Sequence, residues 1–279
     1  MKICTTIEEM RTACLALRSQ RRLGFVPTMG ALHEGHLSLV RAAKASCDVV
    51  ATSIFVNPKQ FGPNEDFGTY PRAFERDRSL LEKEGVELLF APPVEEMYAP
   101  GAVTWVTVEE LSNKLDGRSR PGHFRGVTTV VSKLFHIVEP DAAFFGQKDA
   151  AQIAILRRMV SDLNLPVEIV VCPIVREPDG LAMSSRNAYL DAQQRKSARV
   201  LYRALMRVKK LADQGERNVA KLLPTAREEL ASEPLVRVDY LEIVNPDSLD
   251  AVEDISKRGL MVLAAFVGTT RLIDNILLP

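Results

Sequence analysis

Several things are scarce in this chain. Only four of its 279 residues are cysteine (Cys4, Cys14, Cys47 and Cys172), and they stand far apart with no C-x-x-C pair. A disulfide scaffold and a cysteine-built zinc site are therefore not expected; the four read as reduced, mostly buried thiols of a cytosolic protein. Charge of one sign is also missing, since Lys+Arg and Asp+Glu both number 36. A domain built chiefly to hold nucleic acid carries a basic excess, so that class loses ground. No apolar run approaches about 18 residues, the length of a membrane span. The N-terminal stretch "MKICTTIEEMRTACLALRSQRR" mixes apolar and charged positions and has no long apolar core, so no signal peptide is expected. Internal repeats and low-complexity tracts are absent as well.

What is there is ordinary for a globular protein with a sizeable core: 46% hydrophobic and 26% charged residues. The length suits one large domain or two ordinary ones. Short apolar or β-branched runs alternate with helical periodicity, the pattern of a parallel sheet with crossover helices. Thr5 or Thr6 is positioned to cap a first helix reaching about Gln20, because an acidic residue follows three positions later. Strands are expected in "LGFVPT", "DVVATSIFV", "VELLFAP", "DAAFFG" and "PVEIVVCPI", with a further short strand, "TWVTV", outside the main sheet. Helices are expected in "HLSLVRAAKAS", "AFERDRSLLEKEG", "GVTTVVSKLFHIVEP" and "KDAAQIAILRRMVSDLN". His136, near the end of the third of these, reads as structural. Residues 57–71 hold three prolines and two glycines and form a long loop, often a sign of function. After about residue 187 the texture changes to one long helix ending at Gly215, a second helix, and three strands. The expected architecture is α/β, a Rossmann-like doubly wound parallel sheet over residues 1–186, followed by a smaller α+β domain over 187–279.

"PTMGALHEGH", residues 27–36, places two histidines three apart where a strand gives way to a helix. Zinc would want three or four ligands and His pairs at i, i+4, which are not present. A P-loop would need Lys-Ser/Thr where His36-Leu37 stands. What survives is a glycine-containing turn feeding a helix N-terminus, where backbone N–H groups and imidazoles bind phosphate. A plain helix start with locally bonded histidines stays open beside it. "FFGQKDAAQ" (144–152) runs from a strand into Lys148-Asp149, a cation and a ribose-binding or capping carboxylate at a strand's carboxyl end. "REPDGLAMSSRNAYL" (176–190) offers Ser184, Ser185 and Arg186 as a flexible phosphate clamp, or simply a surface loop with a capping serine. Together with the Asn57–Gln60 loop these stretches all follow expected strands, so a parallel sheet gathers them at one edge.

In this order the motifs resemble those of the H-x-G-H nucleotidyltransferases, with "MSSR" similar to their K-M-S-K-S-like loop. "FVNPKQFGPNEDFGTYPR", "RPGHFRGVTTVVSKLF" and "FFGQKDAAQ" narrow the resemblance to the pantothenate synthetases (pantoate–β-alanine ligases). The resemblance implies ATP-dependent condensation of pantoate with β-alanine through a pantoyl adenylate, releasing AMP and pyrophosphate. It places Met29, Gly30, Ala31, Leu32, His33, Glu34, Gly35 and His36 along ATP, with His33 and His36 on the phosphates. Gly146, Gln147, Lys148 and Asp149 would hold the ribose and phosphates, and Val175 the adenine region. Met183, Ser184, Ser185 and Arg186 would close over the triphosphate. His36, His33, Lys148 and Arg186 are the implied catalytic set. Gln60 and Gln152 would bind pantoate, with Gln60 and Asn57 also near β-alanine. Asp77 is the matched position for magnesium, brought with ATP, and the roles of Arg120 and His123 stay open. Many members carry two consecutive glutamines where this chain has Ala151-Gln152, so the first has no side-chain role here. A cytosolic homodimer without nucleic-acid or membrane partners is also implied. Two rivals are a related enzyme that adenylates a phosphorylated precursor, and a nucleotide-sensing or RNA-binding protein that has lost catalysis. The glutamine pair argues against the first; zero charge and intact chemical residues argue against the second.

Overall fold

The computed structural model describes every residue of the chain except Ser19, Gln20 and Asn64. The strands of its larger sheet are β1 (Lys2–Cys4), β2 (Leu23–Thr28), β3 (Val49–Ile54), β4 (Leu88–Phe90), β5 (Ala142–Gly146) and β6 (Glu168–Cys172). They lie in the order β1-β4-β3-β2-β5-β6 and every pairing is parallel. Because the sheet is parallel throughout, β2, β3, β5 and β6 all end at one edge, at Thr28, Ile54, Gly146 and Cys172. The strands are nearly continuous apolar runs, as strands covered on both faces must be. β1, only three residues long, has too little pattern to be read from the sequence.

Helices α1 (Ile7–Leu17), α2 (Glu34–Ser46), α3 (Phe74–Lys83), α4 (Val94–Met97), α5 (Asp116–Ser119), α6 (His123–Val138) and α7 (Ala150–Asp162) connect or follow these strands. Thr6, not Thr5, caps α1, in a reciprocal box with Glu9. α1 stops at Leu17; its expected end at Gln20 lies outside the described residues. Leu37, Leu39, Val40 and Ala43 of α2 are buried, and the last three pack with Val26, Val50, Leu89 and Phe144 of the sheet. Each fully buried aliphatic side chain of this kind contributes about 1.5–3 kcal/mol.

Residues 104–108 are not a strand. The backbone there is satisfied by α6 instead: the Val106 N–H donates to Thr129 Oγ1 at 3.0 Å, and Thr128 Oγ1 donates to the Val106 carbonyl at 2.6 Å. Alternating side chains announce an extended chain but not its partner, and here hydroxyls on a helix take the place of a ladder. His136 is exposed and bonds the Ser132 carbonyl of its own helix at 2.7 Å, as a structural histidine would.

The long helix expected between residue 191 and Gly215 is two helices, α8 (Ala192–Ala198) and α9 (Val200–Asp213). The break comes at Arg199, whose N–H turns back to the Ser197 carbonyl. α10 (Val219–Ala231) follows, then β7 (Val236–Val244), β8 (Gly259–Val267) and β9 (Thr270–Leu278) in an antiparallel meander. Leu201, Leu205 and Val208 of α9 pack with Leu222 of α10 and Met261 and Leu263 of β8 in a separate core.

By their internal packing the residues fall into two compact units. One comprises Met1–Asn113, Arg120–Gly146 and Ile155–Cys172; the other comprises Lys114–Ser119, Gln147–Ala154 and Pro173–Pro279. The boundary expected at 186/187 falls inside the second of these units, which also takes in two short inner segments and residues 173–186. A linear reading cannot see this, because texture changes along the chain while compactness depends on contacts distant in sequence.

Candidate active site

In the first unit, β2 runs into a tight turn and then α2. Gly30 and Ala31 both take left-handed conformations, with φ of 81° and 50°, a shape glycine adopts freely and alanine only under constraint. The constraint is Asp77 on α3. Its Oδ2 accepts from the Ala31 N–H at 2.7 Å and its Oδ1 from the Leu32 N–H at 2.9 Å. Asp77 is fully buried, a position a carboxylate holds only when hydrogen-bonded. Leu32, 1% exposed, packs into the sheet–α2 core and anchors the turn from the apolar side.

His33 caps α2 in place of the usual serine or aspartate. Its Nδ1 accepts from the Gly35 N–H at 3.1 Å, and the His36 Nδ1 accepts from the His33 N–H at 3.3 Å. The ring centroids are 4.1 Å apart. Since both Nδ1 atoms accept, each neutral ring carries its proton on Nε2. Local bonding and phosphate binding, alternatives when read from sequence, are therefore compatible: the bonds that cap the helix also set the tautomer that makes each ring an Nε2–H donor. Glu34, the next residue, pairs with Arg41.

Asn57 begins the loop after β3 and is 1% exposed. Its Nδ2 donates to Gln60 Oε1 at 3.1 Å and to the Gly126 carbonyl at 3.0 Å, while its Oδ1 accepts from Tyr98 Oη at 2.9 Å and the Lys59 N–H at 3.2 Å. Burial raises the Tyr98 phenol above its ordinary range, keeping it protonated as that donor. The amide is thereby saturated within the protein, and it holds Gln60. Gln60 Nε2 points to Met29 Sδ at 3.2 Å, and the Gln60 carbonyl faces His123 Nδ1 at 2.9 Å. Arg120 lies at 3.1 Å from His123 Nε2 and pairs with Glu65 through both carboxylate oxygens, at 2.8 and 2.5 Å. Burial pushes the Glu65 carboxyl up, but Arg120 outweighs it and leaves the group below the ordinary glutamate value.

In the second unit, Gln147–Asp149 form a 3-10 turn ahead of α7, with Lys148 Nζ 3.8 Å from Asp149 Oδ1. Ala151 is buried and Gln152 half-buried on α7. The Val175 carbonyl accepts from the Met183 N–H at 3.0 Å, closing the base of a small hairpin. Ser184 Oγ accepts from the Arg186 N–H at 3.3 Å and caps a 3-10 turn over Ser185–Tyr189. Arg176, in the same hairpin, grips the buried Asp274 with two bonds of 2.6 and 2.9 Å. Burial nonetheless lifts the Asp274 carboxyl above its ordinary range, against the pull of Arg176.

This combination of turns is not generic to parallel sheets. A family model, pantoate-beta-alanine ligase, matches residues 2–277. The chain belongs to the pantoate-beta-alanine ligase family. Pantothenate synthetase of Acidobacterium capsulatum is 61% identical over 100% of this chain and 97% of its own length. That of Thermotoga neapolitana is 57% identical over the whole of both chains. Among solved structures, pantothenate synthetase from Thermus thermophilus matches with a TM-score of 0.95 and 49% identity over 99% of each chain. The Francisella tularensis ligase, described as complexed with beta-gamma ATP and beta-alanine, matches with a TM-score of 0.83 and 36% identity, covering 99% of this chain and 97% of its own. The chain is accordingly a ligase joining pantoate and β-alanine, on the Rossmann-like sheet with a small C-terminal α+β part that its sequence implied.

The ligase's expected site residues divide between the two units. Met29–His36, Gln60, Asn57 and Gly146 belong to the first; Gln147, Lys148, Asp149, Gln152, Val175 and Met183–Arg186 belong to the second. Asp77 joins the first group, but as the clamp of the Ala31–Leu32 turn, both of its oxygens being engaged. Sequence reasoning missed Tyr98, Gly126, Arg176, Asp274 and Asn275. For the last two a signal existed: adjacent polar residues inside the otherwise apolar run "RLIDNILL" require buried partners.

Proposed function

We propose that this ligase works in two steps at the edge where the parallel strands end. The pantoate carboxylate attacks the α-phosphorus of ATP, forming pantoyl adenylate as the bond to pyrophosphate breaks. The β-alanine amine then attacks the acyl carbon, loses a proton, and the bond to AMP breaks. The protein's part is alignment and neutralisation of spreading negative charge.

The observation that carries this reading is the β2–α2 turn. Two imidazoles with Nδ1 engaged, and so with Nε2–H donors, stand at the start of a 13-residue helix, where backbone N–H groups favour phosphate. In the proposal His33 and His36 donate to phosphoryl oxygens along the Met29–His36 turn. Lys148 and Arg186 supply positive charge, with Met183, Ser184 and Ser185 closing over the phosphates. Gly146, Gln147 and Asp149 bound the ribose, and Val175 the adenine. Gln60 and Gln152 hold pantoate, since an amide both accepts from hydroxyls and donates to a carboxylate. The two molecules named with the Francisella relative support a nucleotide and an amine as substrates.

Magnesium is proposed to arrive as the ATP complex. The residue matched to it, Asp77, is fully buried and gives one lone pair of each oxygen to a backbone N–H, so the proposal keeps it as the clamp of the turn. Mg²⁺ held largely by phosphate oxygens and water needs no dedicated protein cage. A homodimer in the cytosol belongs to the same proposal; sedimentation tests the assembly.

The deciding experiment is pyrophosphate release with each substrate omitted in turn. Expected is a burst of about one pyrophosphate per site with ATP and pantoate alone, as for an adenylate held by the enzyme, and AMP with pantothenate once β-alanine is added. Release that ignores pantoate overturns the reading.

A further inference from the structure

Asn275 lies on β9, paired with Val262 of β8. It is 3% exposed, and its neighbour Asp274 is 2% exposed. An asparagine in an apolar strand costs stability unless its amide is fully used. Here it is used on one target. Nδ2 donates to the Gln147 carbonyl and to the Lys148 carbonyl, both at 2.9 Å. Oδ1 accepts from the Gln147 side-chain amide at 3.1 Å.

The pair of carbonyls is informative. The Gln147 carbonyl belongs to the peptide before the Lys148 Cα, and the Lys148 carbonyl to the peptide after it. Peptides are rigid planes, so φ and ψ are the soft variables of the backbone. A single amide bonded to both flanking planes fixes φ and ψ of Lys148 together, and with them the direction in which its side chain leaves the backbone. The Gln147 side chain in turn braces the amide. Gln147 thus faces Asn275 through its side-chain amide.

We propose that Asn275 is a positioning residue for adenylation, aiming the Lys148 ammonium by holding both peptide planes at its root. The inference rests on the reading of Lys148 as a phosphate ligand. It adds that a strand far downstream in the chain sets that ligand's aim. A cation displaced by about 1 Å from a developing charge loses on the order of 10²-fold in rate. The effect falls on the step in which phosphate charge changes, and spares attack of the amine on a formed adenylate.

The test uses the full-length chain in two separate single-turnover assays: pyrophosphate release from ATP and pantoate, and pantothenate formation from pre-formed pantoyl adenylate and β-alanine. Asn275→Ala is expected to slow the first by about 10–100-fold and change the second by less than about 2-fold. In a Lys148→Ala background, Asn275→Ala should add less than about 2-fold to the first assay, because groups acting as one unit are not additive. Equal slowing of both assays, or effects of the two substitutions that multiply, overturns the proposal. Should Asn275→Ala not fold, Asn275→Ser, which keeps one donor, takes its place, and wild-type adenylation in that variant also overturns it. Lys148→Ala alone reports on the underlying reading: if it adenylates normally, the phosphate role of Lys148 falls, and this proposal with it.

Discussion

His33 and His36 bond to one helix start in succession: the His33 Nδ1 takes the Gly35 N–H and the His36 Nδ1 takes the His33 N–H. Each ring is a cap through one nitrogen and a donor through the other. These roles separate under substitution. Asparagine caps a helix at least as well as most residues but lacks a donor at the Nε2 position. His33→Asn is therefore expected to leave the thermal midpoint within about 2 °C of wild type, as for a change below about 0.5 kcal/mol, while lowering turnover by roughly 10-fold or more. His36→Ala should lose roughly 10²-fold. Full activity in His33→Asn would leave that ring a cap only.

Asp77 offers a comparison of two roles by one substitution. As the clamp of Ala31 and Leu32, it should destabilise the fold by about 1–3 kcal/mol when changed to Asn, since one of two buried N–H groups loses its acceptor. Urea unfolding reads this directly. The apparent KM for ATP should rise, while the magnesium concentration giving half-maximal activity stays put. A shift confined to the magnesium curve, with stability unchanged, would return Asp77 to the metal.

Gly126 of α6 packs against the loop that carries Gln60. A Cβ built there would sit 2.1 Å from the Lys59 carbonyl oxygen and 2.7 Å from the Gln60 Cα. Both are backbone atoms, which cannot swing aside. Gly126→Ala is expected to cost about 1–3 kcal/mol through overpacking and to raise the KM for pantoate more than that for ATP. Equal changes in both would detach Gln60 from pantoate.

The Glu65–Arg120 pair predicts a pH dependence with a definite sign. Arg120 holds the folded-state Glu65 below the ordinary value of 4.5, so the pair's contribution is complete above that value. It disappears as pH falls through the lower folded-state value. The stability difference between wild type and Glu65→Gln, measured by urea unfolding, should be constant at neutral pH and shrink only in acid below 4.5. A difference that grows in acid contradicts the pairing.

Much was legible from the sequence because it is local. Strands β2, β3, β5 and β6, helices α2, α3, α6 and α7, and the closing meander follow from runs and periods within a few residues of each other. So does the His33–His36 cap, whose bonds span at most three residues. What local pattern could not supply is the partner of a buried polar group. Asp77 meets Ala31 across 46 positions and Asn275 meets Gln147 across 128, and nothing in either neighbourhood names the other. The expected strand at 104–108 failed for the same reason, its hydrogen bonds going to threonine hydroxyls on α6. Local residue order was enough to dictate most of the strands and helices, and to single out the turns proposed to carry the chemistry. Which carboxylate and which amide hold those turns in shape was left to the folded chain. A hydrogen-bonding group specifies what kind of partner it needs, and only folding brings one within about 3 Å of it, the reach of such a bond.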